Sequence, residues 1–87
     1  MSKKYIINES IYYFDHETFE NYYRKKRMKN RETIEKLEIK LSKHLNTSKD
    51  TVYNWRFKNY SPASIEIVKE ISIFFNIKDY MILSNYI

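Results

Sequence analysis

The sequence predicts an all-α domain of five helices, with a short β-hairpin or an extended arm at its N-terminus. Three observations carry this. The chain has 87 residues, enough for one modest core and too few for a two-domain enzyme. Its apolar residues recur at helical spacing through most of the length, as in Ile34, Leu37, Leu41 and Leu45. Capping residues bracket those stripes, with Asp, Ser or Thr before them and Asn after.

Taken in order, Tyr5-Ile6-Ile7 and Ile11-Tyr12-Tyr13-Phe14 flank Asn8-Glu9-Ser10, a pattern open to a hairpin or an arm. Asp15 is an N-cap, and Phe14 and Phe19 stand at the spacing of a hydrophobic staple, so a first helix is expected over 16–28. The leucine stripe gives a second over 31–45, closed by a left-handed Asn46. Thr47-Ser48-Lys49-Asp50 reads as a capping box opening a third, which ends near Phe57. Within it Val52 and Trp55 face inward and Lys49, Tyr53 and Arg56 lie on the other side. Ser61-Pro62 supplies an N-cap and N1 for a fourth helix ending at Asn76. Residues 79–84 complete the set as a short fifth helix.

Composition removes several function classes. There is no Cys, hence no disulfide, thiolate metal site or Cys nucleophile. There is no Gly, hence no Gly-rich phosphate loop. His16 and Glu20 stand at i and i+4, a spacing that could hold a metal, and a helix-capping neighbourhood explains both better. No apolar run is long enough for a membrane span and no signal-peptide core opens the chain, so a cytoplasmic protein without cofactor, metal or small-molecule substrate is expected.

The net charge of +5 is unevenly placed. Residues 24–58 hold twelve basic and four acidic residues, and the flanking thirds are slightly acidic. The densest piece contains Arg24, Lys25, Lys26, Arg27, Lys29 and Arg31. It is either a solvated helix face or a phosphate-binding patch, and charge alone does not choose.

Leu41-Ser42, Leu45-Asn46-Thr47-Ser48, Thr51-Val52, Trp55, Pro62 and Asn76-Ile77 together resemble the phage lambda repressor and Cro-type helix-turn-helix family over residues 41–83. Asn46, Asn59 and Asn76 occupy or adjoin positions where that family carries Gly, and Asn is the non-Gly residue that best tolerates positive φ. On this reading residues 1–14 are the arm or hairpin and 15–87 the helix-turn-helix domain. Two features depart from the family: a longer connection between the first two helices, and Glu38 near the place of a phosphate-binding Gln.

The resemblance implies sequence-specific binding of double-stranded DNA by a transcriptional regulator of a phage, plasmid or other mobile element, with residues 48–57 in the major groove. Carried over by position, the base readers are Lys49, Asp50, Tyr53 and Asn54, with Thr51 at the edge. Asp50 has a second reading as a cap for Thr47. The phosphate contacts are Lys43, Ser48, Arg56, Lys58, Asn59 and Tyr60, and the Arg24–Arg31 cluster could reach flanking backbone. Apolar surplus near Ile77, Tyr80, Met81, Ile82, Tyr86 and Ile87 suggests a homodimer through the C-terminal region. The competing class is a small helix-turn-helix protein-interaction module that does not read DNA. Enzymatic function is not expected.

Overall fold

The computed structural model of the chain describes residues 3–85. They form β1 (Lys4–Ile7), β2 (Ser10–Phe14), α1 (His16–Asn30), α2 (Ile34–Leu45), α3 (Lys49–Phe57), α4 (Ile65–Phe75) and β3 (Leu83–Asn85). Four helices and a three-stranded antiparallel sheet in the order β1-β2-β3 replace the expected five-helix, all-α domain.

The hairpin alternative is the one present. Asn8 and Glu9 both take positive φ, 50° and 69°, the requirement of a two-residue hairpin turn whose twist matches its strands. Ser10 therefore belongs to β2 and pairs with Ile7. The strands alternate, so Tyr5 and Phe14 turn into the core while Ile6 faces out. Asp15 then caps α1, its Oδ1 accepting from the Thr18 amide at 3.0 Å, and the Phe14 and Phe19 rings meet at 5.1 Å.

The expected fifth helix is absent among the described residues, and its place is taken by turns and β3. A six-residue segment gains little from helical bonds. Tyr80 sits at φ 67°, which interrupts a right-handed helix. The backbone groups instead pair with the hairpin: Asp15 N–H donates to Ile82 O at 2.8 Å, and Tyr12, Tyr13 and Phe14 of β2 face Asn85, Ser84 and Leu83. The hairpin is thus joined to the chain's other end rather than standing apart as an arm. Ile82 is fully buried and Ile77, Tyr80 and Leu83 pack on the core, so part of the apolar surplus at this end is covered within the chain, while Met81 stays 48% exposed. Tyr86 and Ile87 lie outside the described residues.

Three helix starts differ from those the sequence suggests. Arg31 is left-handed at φ 54° and closes α1, so α2 begins later than expected, capped by Thr33. Ser48 rather than Thr47 caps α3, accepting from the Thr51 amide. That places Asp50 at the second helical position, outside the capping box. Pro62 does not open α4, because the buried Tyr5 hydroxyl donates to its carbonyl at 2.6 Å, and Ser64 caps the helix instead. Asn46 and Asn76 both adopt the left-handed C-cap, at φ 55° and 58°.

The core joins the sheet to all four helices: Tyr5, Phe14, Phe19, Tyr23, Leu37, Leu41, Val52, Trp55, Val68, Ile71 and Ile82. Truncating Ile82→Ala should cost about 3 kcal/mol in urea unfolding, the loss expected of a buried side chain that leaves a cavity. A loss within experimental error of wild type would return residues 79–84 to the surface.

Candidate nucleic-acid interface

Most of the expected DNA contacts fall on α2, the turn Asn46-Thr47-Ser48, α3 and the loop after it. The αL Asn46 ends α2, and its amide and that of Thr47 bond back to Lys43 and Ser42 carbonyls. Two residues later Ser48 starts α3. Val52 and Trp55 anchor α3 on the core, at 0% and 4% exposure, so its opposite face is free.

A buried charge cluster fixes α3 against α1 and α2. Arg56 donates from Nε and Nη2 to the two carboxylate oxygens of Glu20, each at 2.8 Å. Its side chain is 3% exposed, and its guanidinium lies 4.2 Å from the Tyr23 ring centroid and 4.4 Å from that of Phe57. Arg24 approaches Glu20 from the solvent side at 3.5 Å. Glu38, buried in α2, stands 3.7 Å from Arg56 Nη1 without a hydrogen bond between them.

The two carboxylates consequently diverge. Burial raises both, but for Glu20 the bidentate hydrogen bonds and charge of Arg56 outweigh burial and hold it below the usual carboxylate range. For Glu38 burial dominates the more distant Arg56 charge and its pKa is raised. Arg56 is therefore an internal cation and drops out of the expected phosphate contacts. The sequence expectation put Arg56 on the outer side with Lys49 and Tyr53; its four-residue step from Val52 was the available signal for the inward place it takes.

The remaining expected residues divide. Lys49, Asp50 and Tyr53 lie on the outer face of α3, with Lys49 paired to Glu35 at 3.2 Å. Thr51 and Asn54 are half-buried on its flank, lining a cleft of about 470 Å³ with Trp55, Tyr60 and Ser61. Ser48 is occupied as a cap, its Oγ 2.9 Å from Thr51 Oγ1. Lys58, Asn59 and Tyr60 are exposed in the following loop, where Asn59 is left-handed and the Lys58 and Tyr60 amides both bond the Asn54 carbonyl. Lys43 lines a separate groove with Arg31, Lys36 and Lys40. Within the Arg24–Arg31 cluster, Lys25 lies over Tyr22 and Lys26 over Phe74.

Phe57 was not among the expected site residues, yet it belongs to the outer surface of α3. Phe57 is 55% exposed, and its ring meets Tyr53, itself 44% exposed, at 4.8 Å. The outer face of α3 is thus an aromatic pair between Lys49 and Lys58, with Asp50, Glu35 and Glu38 nearby, and is less basic than expected. The four-residue step from Tyr53 to Phe57 was the available signal.

His16 does not combine with Glu20: its Nδ1 lies 2.9 Å from the Trp55 carbonyl, while Glu20 holds Arg56. No group of three or more His, Cys, Asp or Glu that could hold a metal occurs among the described residues. Nor is any helix among them long and apolar enough to cross a membrane. Compared with known proteins, the chain matches no family model, no curated sequence and no solved structure.

Arg56→Ala should destabilise the protein by about 3 kcal/mol in urea unfolding, because two carboxylates lose their buried partner. Glu38→Gln should be neutral or stabilising at pH 7, since folding there works against a carboxylate whose native pKa is raised. The Glu20 contribution has the opposite sign. It is present above the ordinary Glu pKa and is lost as pH falls through the depressed native value, so Glu20→Gln should flatten the acid limb of a stability–pH curve.

Proposed function

We propose that this chain binds double-stranded DNA in a sequence-dependent way, with α3 in the major groove, and acts as a small transcriptional regulator. The observation that carries the reading is the arrangement of α3. Val52 and Trp55 are buried beneath it and Lys49, Asp50 and Tyr53 project from its free face, with Asn54 on the flank. The residue pattern shared with the lambda repressor and Cro-type family over this unit supports it, as does the basic charge of residues 24–58.

Each role has a chemistry. The Asn54 amide can bond adenine N6 and N7 together. Lys49 can donate to guanine O6 or N7 on leaving Glu35, an exposed pair of small worth. The Tyr53 and Phe57 rings offer apolar contact to thymine methyls. The exposed side chains of Lys58, Asn59 and Tyr60, in the loop after α3, can donate to a phosphate.

A second reading is favoured by one observation. The exposed Tyr53–Phe57 pair, with Tyr60 at 55% exposure in the next loop, is the kind of aromatic anchor found at protein–protein interfaces. On that reading α3 docks on a protein partner.

Selection of bound sites from a random duplex pool tests the first reading. An enriched sequence is expected, and Asn54→Ala should weaken the selected site by about 1–3 kcal/mol while leaving random duplex unchanged. Lys58→Ala should weaken both alike and lower the salt slope by about one phosphate. A pool that yields no enriched sequence, with wild type and Asn54→Ala binding alike, removes the reading role of α3 and leaves the protein-docking alternative.

A further inference from the structure

The chain's excess positive charge does not lie on α3. Of the cations in residues 24–58, Arg56 is buried against Glu20, Arg24 also leans on Glu20, and Lys49 is paired with Glu35. Most of the rest gather elsewhere. Arg31, Lys36, Lys40 and Lys43 line one groove of about 530 Å³ at the elbow between α1 and α2. Lys25, Lys26 and Lys29 line a second, of about 390 Å³, between the end of α1 and the end of α4. Asn30 lines both, so the two grooves meet there and form one cationic track. Among the described residues Glu32 is the single acid lining either groove, and it is paired with Lys40.

We infer that this track is a second, sequence-independent contact for the phosphate backbone of duplex DNA, separate from α3. Lys36, Lys40 and Lys43 stand at i, i+4 and i+7 on one face of α2 and rise along about 10 Å of its axis. Measured along the duplex axis, that length spans about three phosphates of one strand, which rise ~3.4 Å each. The side of α2 that meets α3 carries instead Glu35 and Glu38, so the helix divides its charge between two flanks. Like charges gathered in a concave track repel one another, and a polyanion laid along it removes that repulsion while releasing its own counterions. A membrane surface fits less well: an interfacial helix buries a broad apolar face opposite its lysines, whereas here that face of α2 holds Leu37 and Leu41 in the core.

The inference does not rest on base reading by α3, and the experiment separates the two. The probe is a fluorescein-labelled random-sequence duplex, followed by anisotropy across a salt series. One variant carries Lys29→Gln, Lys36→Gln and Lys43→Gln, three exposed cations that have no ion pair among the described residues. A charge-matched variant carries Lys4→Gln, Lys69→Gln and Lys78→Gln, exposed on β1, on α4 and after it. The track variant should lower the slope of log K against log salt by about 2–3 and weaken low-salt binding at least tenfold, as expected for lost phosphate contacts. The matched variant should leave the slope within about one half of wild type, and a Lys→Arg triple at the track positions should keep it. Equal slope losses in the two Gln variants, or no binding of random duplex by wild type, overturn the track. Tight binding to phosphatidylserine vesicles that duplex fails to compete would assign it to a membrane and overturn it equally. Preference for a selected site is read separately: its loss in Asn54→Ala concerns α3 alone.

Discussion

The bidentate contact between Arg56 and Glu20 organises the packing of α3 on α1. Two hydrogen bonds of 2.8 Å tie α3 to α1 across 36 residues of sequence, with the guanidinium sandwiched between the rings of Tyr23 and Phe57. Trp55 and Val52 supply the apolar hold on α3, and the ion pair adds direction. A guanidinium meets a carboxylate in one plane, so the pair fixes the rotation of α3 about its own axis. That rotation decides which side chains project: Lys49, Asp50, Tyr53 and Phe57 face outward because Val52, Trp55 and Arg56 are held in.

The same contact determines the electrostatics around it. Glu20 takes both forks of Arg56, which leaves Glu38 with charge nearby but no hydrogen bond. One carboxyl is consequently depressed and the other raised within a single cluster. With Arg56 spent internally and Lys49 paired, α3 presents aromatic rings and a mixed set of charges. Most of the other cations of residues 24–58 line the grooves beside α1 and α2 instead, with Lys58 left in the loop after α3. Surface chemistry on α3 and charge on the elbow are thus separated, and a duplex touching both would meet shape and apolar contact at one and phosphates at the other.

Much of the helical framework was legible in the sequence, because caps and stripes are local. Asp15, Asn46 and Asn76 sit at helix ends as their chemistry requires. The hairpin was legible as one of two options, decided by the positive φ of both Asn8 and Glu9. What was illegible is non-local. β3 exists because β2 offers it an edge some seventy positions earlier, and nothing within residues 79–84 announces that pairing. Ser61-Pro62 carries a good helix-start signal, yet the Tyr5 hydroxyl claims the Pro62 carbonyl from the other end of the chain. At the site, Val52 and Trp55 were readable as inward from spacing. Arg56 stands at helical spacing both from Lys49 and Tyr53 and from Val52, so spacing alone does not choose its side, and its burial follows once Glu20 is brought beside it by the packing of α1.

The account turns on whether Arg56 and Glu20 are energetically coupled. A double-mutant cycle in urea, from wild type through Glu20→Gln and Arg56→Met to the double variant, measures this directly. A coupling energy of about 2 kcal/mol or more is predicted for a desolvated bidentate pair. A value within about 0.3 kcal/mol of zero would mean that the two side chains do not meet in solution, and that the rotation of α3 and the identity of its outer face have to be assigned anew.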